Sequence, residues 1–249
     1  MITDSFDLQT RTLVRLEDFY GERKRLAERC LILFSHLLRD ELLRRFPCRQ
    51  IAEILSVNGV TPVFCIEPDG RPLAFYLSPL GSTMAAQYCI EANWVCGAEK
   101  FIMFGSAGSL DAEATAGRYV LPTEAYRDEG MSYHYAPPAD YIAVPGHRTL
   151  APIFRELGVP YAEGRVWTTD AFLRETAGQV ARRRAEGCLA VEMELAGVQA
   201  VCDFHGFSLY DFLETGDSFS SDGYTPDGLR EANHDARKLQ IALEIARRL

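Results

Sequence analysis

Short apolar runs alternate with segments of helical spacing along most of the 249-residue chain. The alternation predicts an α/β domain with helices layered on a mostly parallel or mixed sheet. The apolar runs typical of strands are residues 30–34, 63–66, 73–77, 101–104, 118–121, 166–168, 189–191 and 207–213. The segments with helical spacing are residues 37–46, 84–96, 175–186, 194–204 and 229–249, and residues 22–29 are charged and helix-prone.

Turn-forming residues refine this picture. Pro68, Asp69 and Gly70 separate two strand-like runs, which predicts a hairpin and therefore a mixed sheet. Residues 128–146 are rich in Tyr, Pro and Gly, which indicates a long structured loop. We interpret residues 1–249 as a single domain, with 1–29 as an N-terminal extension or helix and 229–249 as a C-terminal helix.

The first of three candidate ligand-binding motifs is FIMFGSAGSL at residues 101–110, where an apolar strand runs into a turn of small residues. Ligands of α/β sheets bind beyond the carboxyl ends of strands. Gly105 and Gly108 allow backbone to approach a ligand closely, and backbone N–H groups with the Ser106 hydroxyl can bind an oxyanion. A tight turn without a ligand has the same pattern.

The second motif is AVEMELAG at residues 190–197, where two carboxylates flank Met193 at the junction of a strand and a helix. Buried carboxylates are costly unless they bind something. Glu194 can accept hydrogen bonds from sugar hydroxyls while Met193 packs on the apolar face of the sugar. The alternative is a first helical turn in which glutamate favours the helix dipole.

The third motif is LETGDS at residues 213–218, which places Asp217 just after an apolar strand. An aspartate there can cap a helix or form a turn. It can also act as a general acid that protonates a leaving group.

Composition narrows the class of protein. A net charge of -9 and a pI of about 5.1 argue against broad binding of nucleic acid or anionic membranes. The seven cysteines form no CxxC pair, and no histidine pair has zinc-ligand spacing, so we expect no metal and a reducing, cytoplasmic location. The first twenty residues lack a signal-peptide pattern, and no apolar stretch reaches the ~20 residues of a membrane helix.

Two further segments, RDEGMSYHY at residues 127–135 and VWTTDAFLRET at residues 166–176, complete a set of five motifs. Their order and spacing resemble the nucleoside phosphorylase and nucleosidase superfamily, and most of all its uridine-phosphorylase-like bacterial branch. The similarity runs over about residues 81–217, more than half of the chain.

The resemblance implies a central mixed sheet that closes partly into a distorted barrel and is flanked by helices. It implies a ribose site at Met193 and Glu194, a base contact at Phe172, and an acid at Asp217. Gly105 and Ser106 would line the phosphate or water side. His134 matches the signature as either a ligand-binding or a packed structural residue.

The chain departs from the superfamily's phosphate site. Where phosphorylases of this type place an arginine in the first motif, this chain has Met103, and the loop after the first strand lacks its glycine and proline. Phosphate needs cationic or multiple N–H partners, so Arg39 or Arg127 is a candidate replacement, also across a subunit interface. The related hydrolases instead use a carboxylate after the first strand, a position near Asp40 and Glu41.

The sequence therefore predicts phosphorolysis of a purine or pyrimidine nucleoside to free base and sugar-1-phosphate. Hydrolysis by water and non-catalytic nucleoside binding are the alternatives. Inorganic phosphate is the co-substrate and no cofactor is implied. The resemblance also predicts a homo-oligomer, a dimer or hexamer, and the tyrosine-rich residues 133–141 are the expected contact.

Overall fold

The computed structural model describes residues 1–220 and 223–249, and the strands in them form one mixed sheet. The strands are β1 (Arg29–Leu33), β2 (Arg49–Ser56), β3 (Gly59–Ile66), β4 (Leu73–Leu77), β5 (Lys100–Ser109), β6 (Tyr119–Asp128), β7 (Tyr141–Ala143), β8 (Tyr161–Thr169), β9 (Cys188–Glu192), β10 (Ser208–Ser220) and β11 (Gly223–Thr225). The helices are α1 (Glu17–Tyr20), α2 (His36–Arg45), α3 (Ser82–Cys96), α4 (Ala112–Thr115), α5 (Ser132–Tyr135), α6 (His147–Glu156), α7 (Ala177–Ala185), α8 (Leu195–His205), α9 (Leu229–His234) and α10 (Ala236–Arg248).

Part of the sheet closes on itself. The strand order is β11-β10-β6-β8-β9-β5-β1-β4-β3-β2, and β10 also pairs with β5, so β10, β6, β8, β9 and β5 form a closed ring. The ring is mixed, because β5 runs parallel to β10 but antiparallel to β9. The predicted fold class, a single α/β domain whose mixed sheet closes partly into a barrel, is confirmed.

Helices cover both faces of the sheet. Residues of β1 are buried throughout, as expected of a parallel strand between two layers. One core cluster joins alternate sheet residues to α3 and α8, and a second joins the others to α2, α6 and α10. No helix in the described ranges is long and apolar enough to cross a membrane.

Several predicted strands are correct in place but too short. The hairpin of β3 and β4 around Asp69 forms as predicted. The strand predicted at residues 101–104 continues through Gly105 to Ser109, and the strand predicted at 207–213 continues past Asp217 to Ser220. The two extensions are parallel partners, with a bulge between Thr215 and Ser218, so cross-strand hydrogen bonds maintain them where the apolar pattern has ended.

Other predictions were wrong. Residues 22–29 form no helix; the backbone N–H groups of Lys24 and Leu26 bond to carbonyls at the end of α3 instead. The supposed loop at 128–146 contains α5 and β7, and the pattern missed β2 and α6. The C-terminal helix predicted at 229–249 is two helices, because Asp235 leaves the helical conformation and caps α10 through the backbone N–H of Arg237.

Candidate functional site

A cavity of about 180 Å³ lies beyond the carboxyl end of β1 and is also lined by the middle of β5, by β10 and by the last residue of β9. The carboxyl end of a parallel strand is a place where ligands bind in α/β folds. The cavity is lined by Phe34, Ser35, Leu38, Leu80, Met103, Phe104, Gly105, Ser106, Glu192, Glu194, Asp211, Leu213, Asn233, His234 and Lys238. A wider cleft of about 480 Å³ between residues 19–24, β2 and the end of α3 contains none of the residues that the sequence singles out, so we take the smaller cavity as the site.

The two glutamates around Met193 have different surroundings. Glu192 is buried and its Oε2 accepts hydrogen bonds from the backbone N–H groups of Glu194 and Leu195, at 2.7 and 2.8 Å. Its other oxygen accepts a short hydrogen bond from the Thr168 hydroxyl. Glu192 therefore serves the beginning of α8, the role that the sequence left open for both carboxylates.

Glu194 faces the cavity with a smaller set of partners. Its Oε1 accepts a hydrogen bond from the backbone N–H of Gly81 at 2.7 Å, just before α3. Burial raises the pKa of Glu194, the N–H groups of Gly81 and Met193 oppose that rise, and the charge of Asp170 adds to it. The carboxylate is thus held in place by one bond while it remains at the cavity wall, as a group that binds sugar hydroxyls must be.

Residues 103–106 of β5 supply another part of the cavity wall. The Ser106 hydroxyl donates a hydrogen bond to Asn233 Oδ1 in α9 at 2.5 Å, which fixes the hydroxyl at the cavity surface. A Cβ atom at Gly105 would lie 3.7 Å from the Phe34 ring, an ordinary contact. A larger side chain would therefore fit at position 105 without a clash. The Ser106 hydroxyl is the polar side-chain group with a fixed position on this part of the cavity wall.

Asp217 lies on β10 within the bulge between Thr215 and Ser218, against the end of β5. Its Oδ2 would be 3.1 Å from a Cβ atom at Gly108, so the glycine makes room for the carboxyl. Burial raises the pKa of Asp217, and burial together with the charge of Asp217 raises the pKa of Glu175 to about 7. Tyr224 on β11 donates to Asp217 and lowers the pKa of that carboxyl. This carboxyl pair is therefore suited to hold a proton near neutral pH.

Of the residues that the sequence predicts, the structure places Gly105, Ser106 and Glu194 on one cavity. Met193, Phe172 and Asp217 do not line it. Phe172 begins a short 3-10 helix and is 55% exposed, so its ring is accessible to solvent and does not line the cavity.

Arg127 and His134 belong to a structural network instead. The Arg127 guanidinium donates to the Ser132 hydroxyl at 2.8 Å and to the backbone carbonyls of Pro137 and Ala136, and it lies 4.3 Å from the Tyr133 ring centre. His134 is exposed on α5. Neither residue lines the cavity of its own chain, because this network uses Arg127 to hold residues 132–137.

Asp40 and Glu41, the candidate water-activating carboxylates, also lie away from the cavity. Both are on α2, whose residue at the cavity is Leu38. Asp40 accepts a hydrogen bond from Arg39 at 2.8 Å, and Glu41 forms an ion pair with Arg44 at 2.7 Å. Asp40, two residues after Leu38, lies on the other side of the helix, and the Glu41 carboxylate is paired with Arg44, so neither lines the cavity.

The C-terminal helices supply groups that the sequence reasoning missed. Asn233 and His234 end α9, and His234 Nδ1 lies 2.7 Å from the Ser35 hydroxyl. Lys238 on α10 is buried, its ammonium donating to the Ala232 carbonyl and lying 3.5 Å from Glu214 Oε2. Lys238 interrupts the apolar face of α10, which is the signal that could have found it.

Asp211 is the other missed residue. It is 1% exposed and lies on β10 opposite Met103 of β5. A carboxyl inside the apolar run 207–213 is the sequence signal. The cavity wall thus holds three carboxyls and one ammonium, and no arginine from the described part of the chain lines it.

Comparison with known proteins adds two findings. The sequence profile of the Phosphorylase superfamily matches residues 40–244. A purine nucleoside phosphorylase, DeoD-type, of Alkaliphilus metalliredigens is 28% identical over 233 residues, covering 91% of this chain and 97% of the relative. One from Exiguobacterium is 24% identical over 78% of this chain and 81% of the relative. A guanosine phosphorylase of Halorubrum lacusprofundi is 29% identical over 60% of this chain and 63% of the relative.

Proposed function

Since the chain belongs to the Phosphorylase superfamily, we propose that it cleaves the N-glycosidic bond of a purine nucleoside with inorganic phosphate. The products are the free base and sugar-1-phosphate, so the enzyme is a pentosyltransferase. The names of the purine nucleoside and guanosine phosphorylases among its relatives support both phosphorolysis and a purine base.

The observation that carries the proposal is the shared cavity of Glu194 and Ser106. The carboxylate on one wall suits ribose hydroxyls, and the hydroxyl on the other suits the incoming nucleophile. The anomeric carbon of a sugar held by Glu194 then faces the Ser106 side. Holding two reactants in this arrangement replaces a bimolecular encounter and can supply several kcal/mol of the barrier reduction.

The mechanism follows from charge. As the bond to the base breaks, positive charge develops on the ribose, and the Glu194 carboxylate and the incoming anion stabilise it. The base departs with the bonding electron pair, and Asp217 donates or relays the proton that neutralises it. Phe172 packs on the base and Met193 on the sugar. General acid catalysis of this kind contributes about 10²–10⁴-fold.

The described cavity wall has few donor groups that could bind phosphate. The polar groups of the described chain at this position are the Ser106 hydroxyl, which donates to Asn233, and the Lys238 ammonium, which Glu214 already holds. Residues 105–109 form a paired strand, so they do not offer an oxyanion the turn of free N–H groups that would replace an arginine. We therefore expect a high KM for phosphate, or an arginine contributed by a neighbouring subunit.

Assembly and location belong to the same proposal. We expect a homo-oligomer with residues 133–141 at the contact, since tyrosine is enriched at interfaces. We place the enzyme in the cytoplasm, because all seven cysteines are free thiols, which suits a reducing compartment. The reaction needs no metal or organic cofactor.

The test is a panel of purine and pyrimidine nucleosides, each incubated with the full chain in the presence and absence of phosphate. We expect free base and sugar-1-phosphate in equal amounts from a purine nucleoside. Light scattering on the same sample gives the oligomeric state. Cleavage of no nucleoside under either condition would refute the proposed function and favour a non-catalytic binding protein.

A further inference from the structure

Asp211 is the group at the cavity that the proposed reaction does not use. It lies in the first part of β10 between Tyr210 and Phe212 and is 1% exposed. Neither carboxyl oxygen has a hydrogen-bond partner among the described residues. The backbone N–H of Phe212 is near enough to lower its pKa, but it does not complete a hydrogen bond.

Such a carboxyl is costly to the fold. An unpaired buried polar group destabilises a protein by about 1–3 kcal/mol, and a charged one by more. The ammonium of Lys238 does not compensate it, because that group is directed to the Ala232 carbonyl and to Glu214. An asparagine or leucine at this position would destabilise the strand less than the carboxyl does. We therefore expect the carboxyl to bind a ligand, since the described residues offer it no hydrogen-bond partner.

The position of Asp211 indicates which ligand. In the parallel pairing of β10 with β5, Asp211 lies opposite Met103, and Leu213 lies opposite Gly105. These residues and Ser106 line the same cavity as Glu194. If Glu194 holds the ribose, Asp211 therefore lies on the nucleophile side.

The charges on the wall decide between nucleophiles. Glu192, Glu194 and Asp211 are acidic, Lys238 is held by Glu214, and His234 has a pKa lowered by burial. A phosphate dianion needs cationic or multiple N–H partners, and the cation on the described wall is the Lys238 ammonium that Glu214 already holds. Water needs no cation, but it needs a base to become a good nucleophile.

We propose that Asp211 binds and deprotonates a water molecule in this cavity, so that the enzyme also hydrolyses the nucleosides that it phosphorolyses. The inference rests on the proposed function, since it requires a ribose held by Glu194. The water oxygen attacks the anomeric carbon and its proton passes to Asp211. The glycosidic electron pair leaves with the base, which Asp217 protonates, and the products are free base and free sugar.

The electrostatic surroundings set the pH at which this role is possible. Burial, with the charges of Glu192 and Glu194, raises the pKa of Asp211 well above its ordinary value. Asp211 is a base only in its ionised form, above that raised pKa, where it accepts a proton from water more readily than an ordinary carboxylate does.

The experiment compares the wild type with Asp211→Asn on a purine nucleoside, with and without phosphate. Chromatography measures free base, free sugar and sugar-1-phosphate. Wild type should release base and free sugar in phosphate-free buffer. Asp211→Asn should lower that hydrolysis at least about 100-fold, in the range of general base catalysis, and lower the ratio of free sugar to sugar-1-phosphate.

Asp203→Asn is the matched control, because Asp203 is exposed on α8 and does not line the cavity; the product ratio should not change. If Asp211→Asn folds poorly, Asp211→Ala with added formate replaces it, since a small carboxylate can occupy the vacated volume and restore hydrolysis.

Two results would overturn the inference while leaving the proposed function intact. One is strictly phosphate-dependent base release by an otherwise active wild type. The other is undiminished hydrolysis by Asp211→Asn, or formate that fails to restore it in Asp211→Ala. If neither reaction occurs with any nucleoside, the proposed function fails and the inference falls with it.

Discussion

The replacement of Glu194 by alanine tests the centre of the proposed site. The carboxylate lies at the cavity wall and is anchored by the backbone N–H of Gly81 at 2.7 Å. Alanine removes the acceptor for the ribose hydroxyls and leaves the Gly81 N–H without its partner. Glutamine keeps an oxygen for Gly81 but loses the charge.

The expected magnitude follows from the bonds that are lost. Two hydrogen bonds from sugar hydroxyls to a carboxylate contribute about 1.5–3 kcal/mol each. The lower end of that range already gives about 3 kcal/mol, which is more than 100-fold in kcat/KM. Glu194→Gln should lose about 10-fold, because one neutral acceptor remains.

The free energy of unfolding of Glu194→Ala should rise or stay unchanged, although its kcat/KM falls. The pKa of Glu194 is raised by burial, so above the ordinary pKa of a glutamate its ionisation opposes folding. Removing the carboxyl relieves that cost at neutral pH. A low activity of Glu194→Ala with an unchanged or higher Tm would therefore reflect lost binding and not misfolding.

The assay is steady-state kinetics on the best purine nucleoside at saturating phosphate, with thermal unfolding of the same samples. Glu156→Ala is the control, since Glu156 is 69% exposed and pairs only loosely with Arg248 at 3.8 Å. Near-wild-type kcat/KM for Glu194→Ala would remove Glu194 from the ribose site and refute the reasoning.

Three other perturbations probe different parts of the fold. Glu192→Ala should lower the free energy of unfolding by about 1–3 kcal/mol in urea denaturation, because Glu192 caps α8; unchanged stability would contradict that role. Asp217→Asn should slow a natural nucleoside about 10²–10⁴-fold but scarcely slow a nitrophenyl riboside, whose leaving group needs no proton; equal losses would exclude an acid role. Arg29→Met should cost about 3–5 kcal/mol at neutral pH, since Arg29 pairs with Asp69 at 2.9 Å in a buried site. The Arg29 guanidinium holds the pKa of Asp69 well below the ordinary value of an aspartate. The pair therefore contributes its full stabilisation at pH values above that ordinary pKa, and the stabilisation shrinks as the pH falls toward the lowered pKa of the folded state. An equal loss of stability in Arg29→Met at about pH 7 and pH 3 would be inconsistent with the pair.

The sequence predicted the fold where its apolar pattern was strong. The fully buried β1 and the hairpin around Asp69 were both evident from local composition. The ends of β5 and β10 were not, because residues beyond Gly105 and Leu213 are small or polar and are strands through their pairing with each other. Pairing between distant segments is a tertiary effect that a single-sequence pattern does not contain.

The sequence predicted those residues of the candidate site that lie in recognisable motifs. The motif at the start of α8 gave Glu194, but the sequence could not divide the two glutamates between capping and the cavity. That division depends on which carboxyl meets the N–H groups of Leu195 and which meets Gly81, more than a hundred residues away. Likewise Arg127 looked like a free cation until the fold placed backbone carbonyls around it.

Asp211 and Lys238 show why the charge of the cavity cannot be obtained from composition. Each interrupts an apolar pattern, and both line one cavity, so an ion pair between them would be the natural expectation. The fold instead gives Lys238 to Glu214 and the Ala232 carbonyl. Asp211 is left without a cation, opposite the methionine that stands where the superfamily's phosphate arginine would be. The methionine that weakens the case for tight phosphate binding thus lies beside a base for water, and the product ratio measures how the site divides between the two nucleophiles.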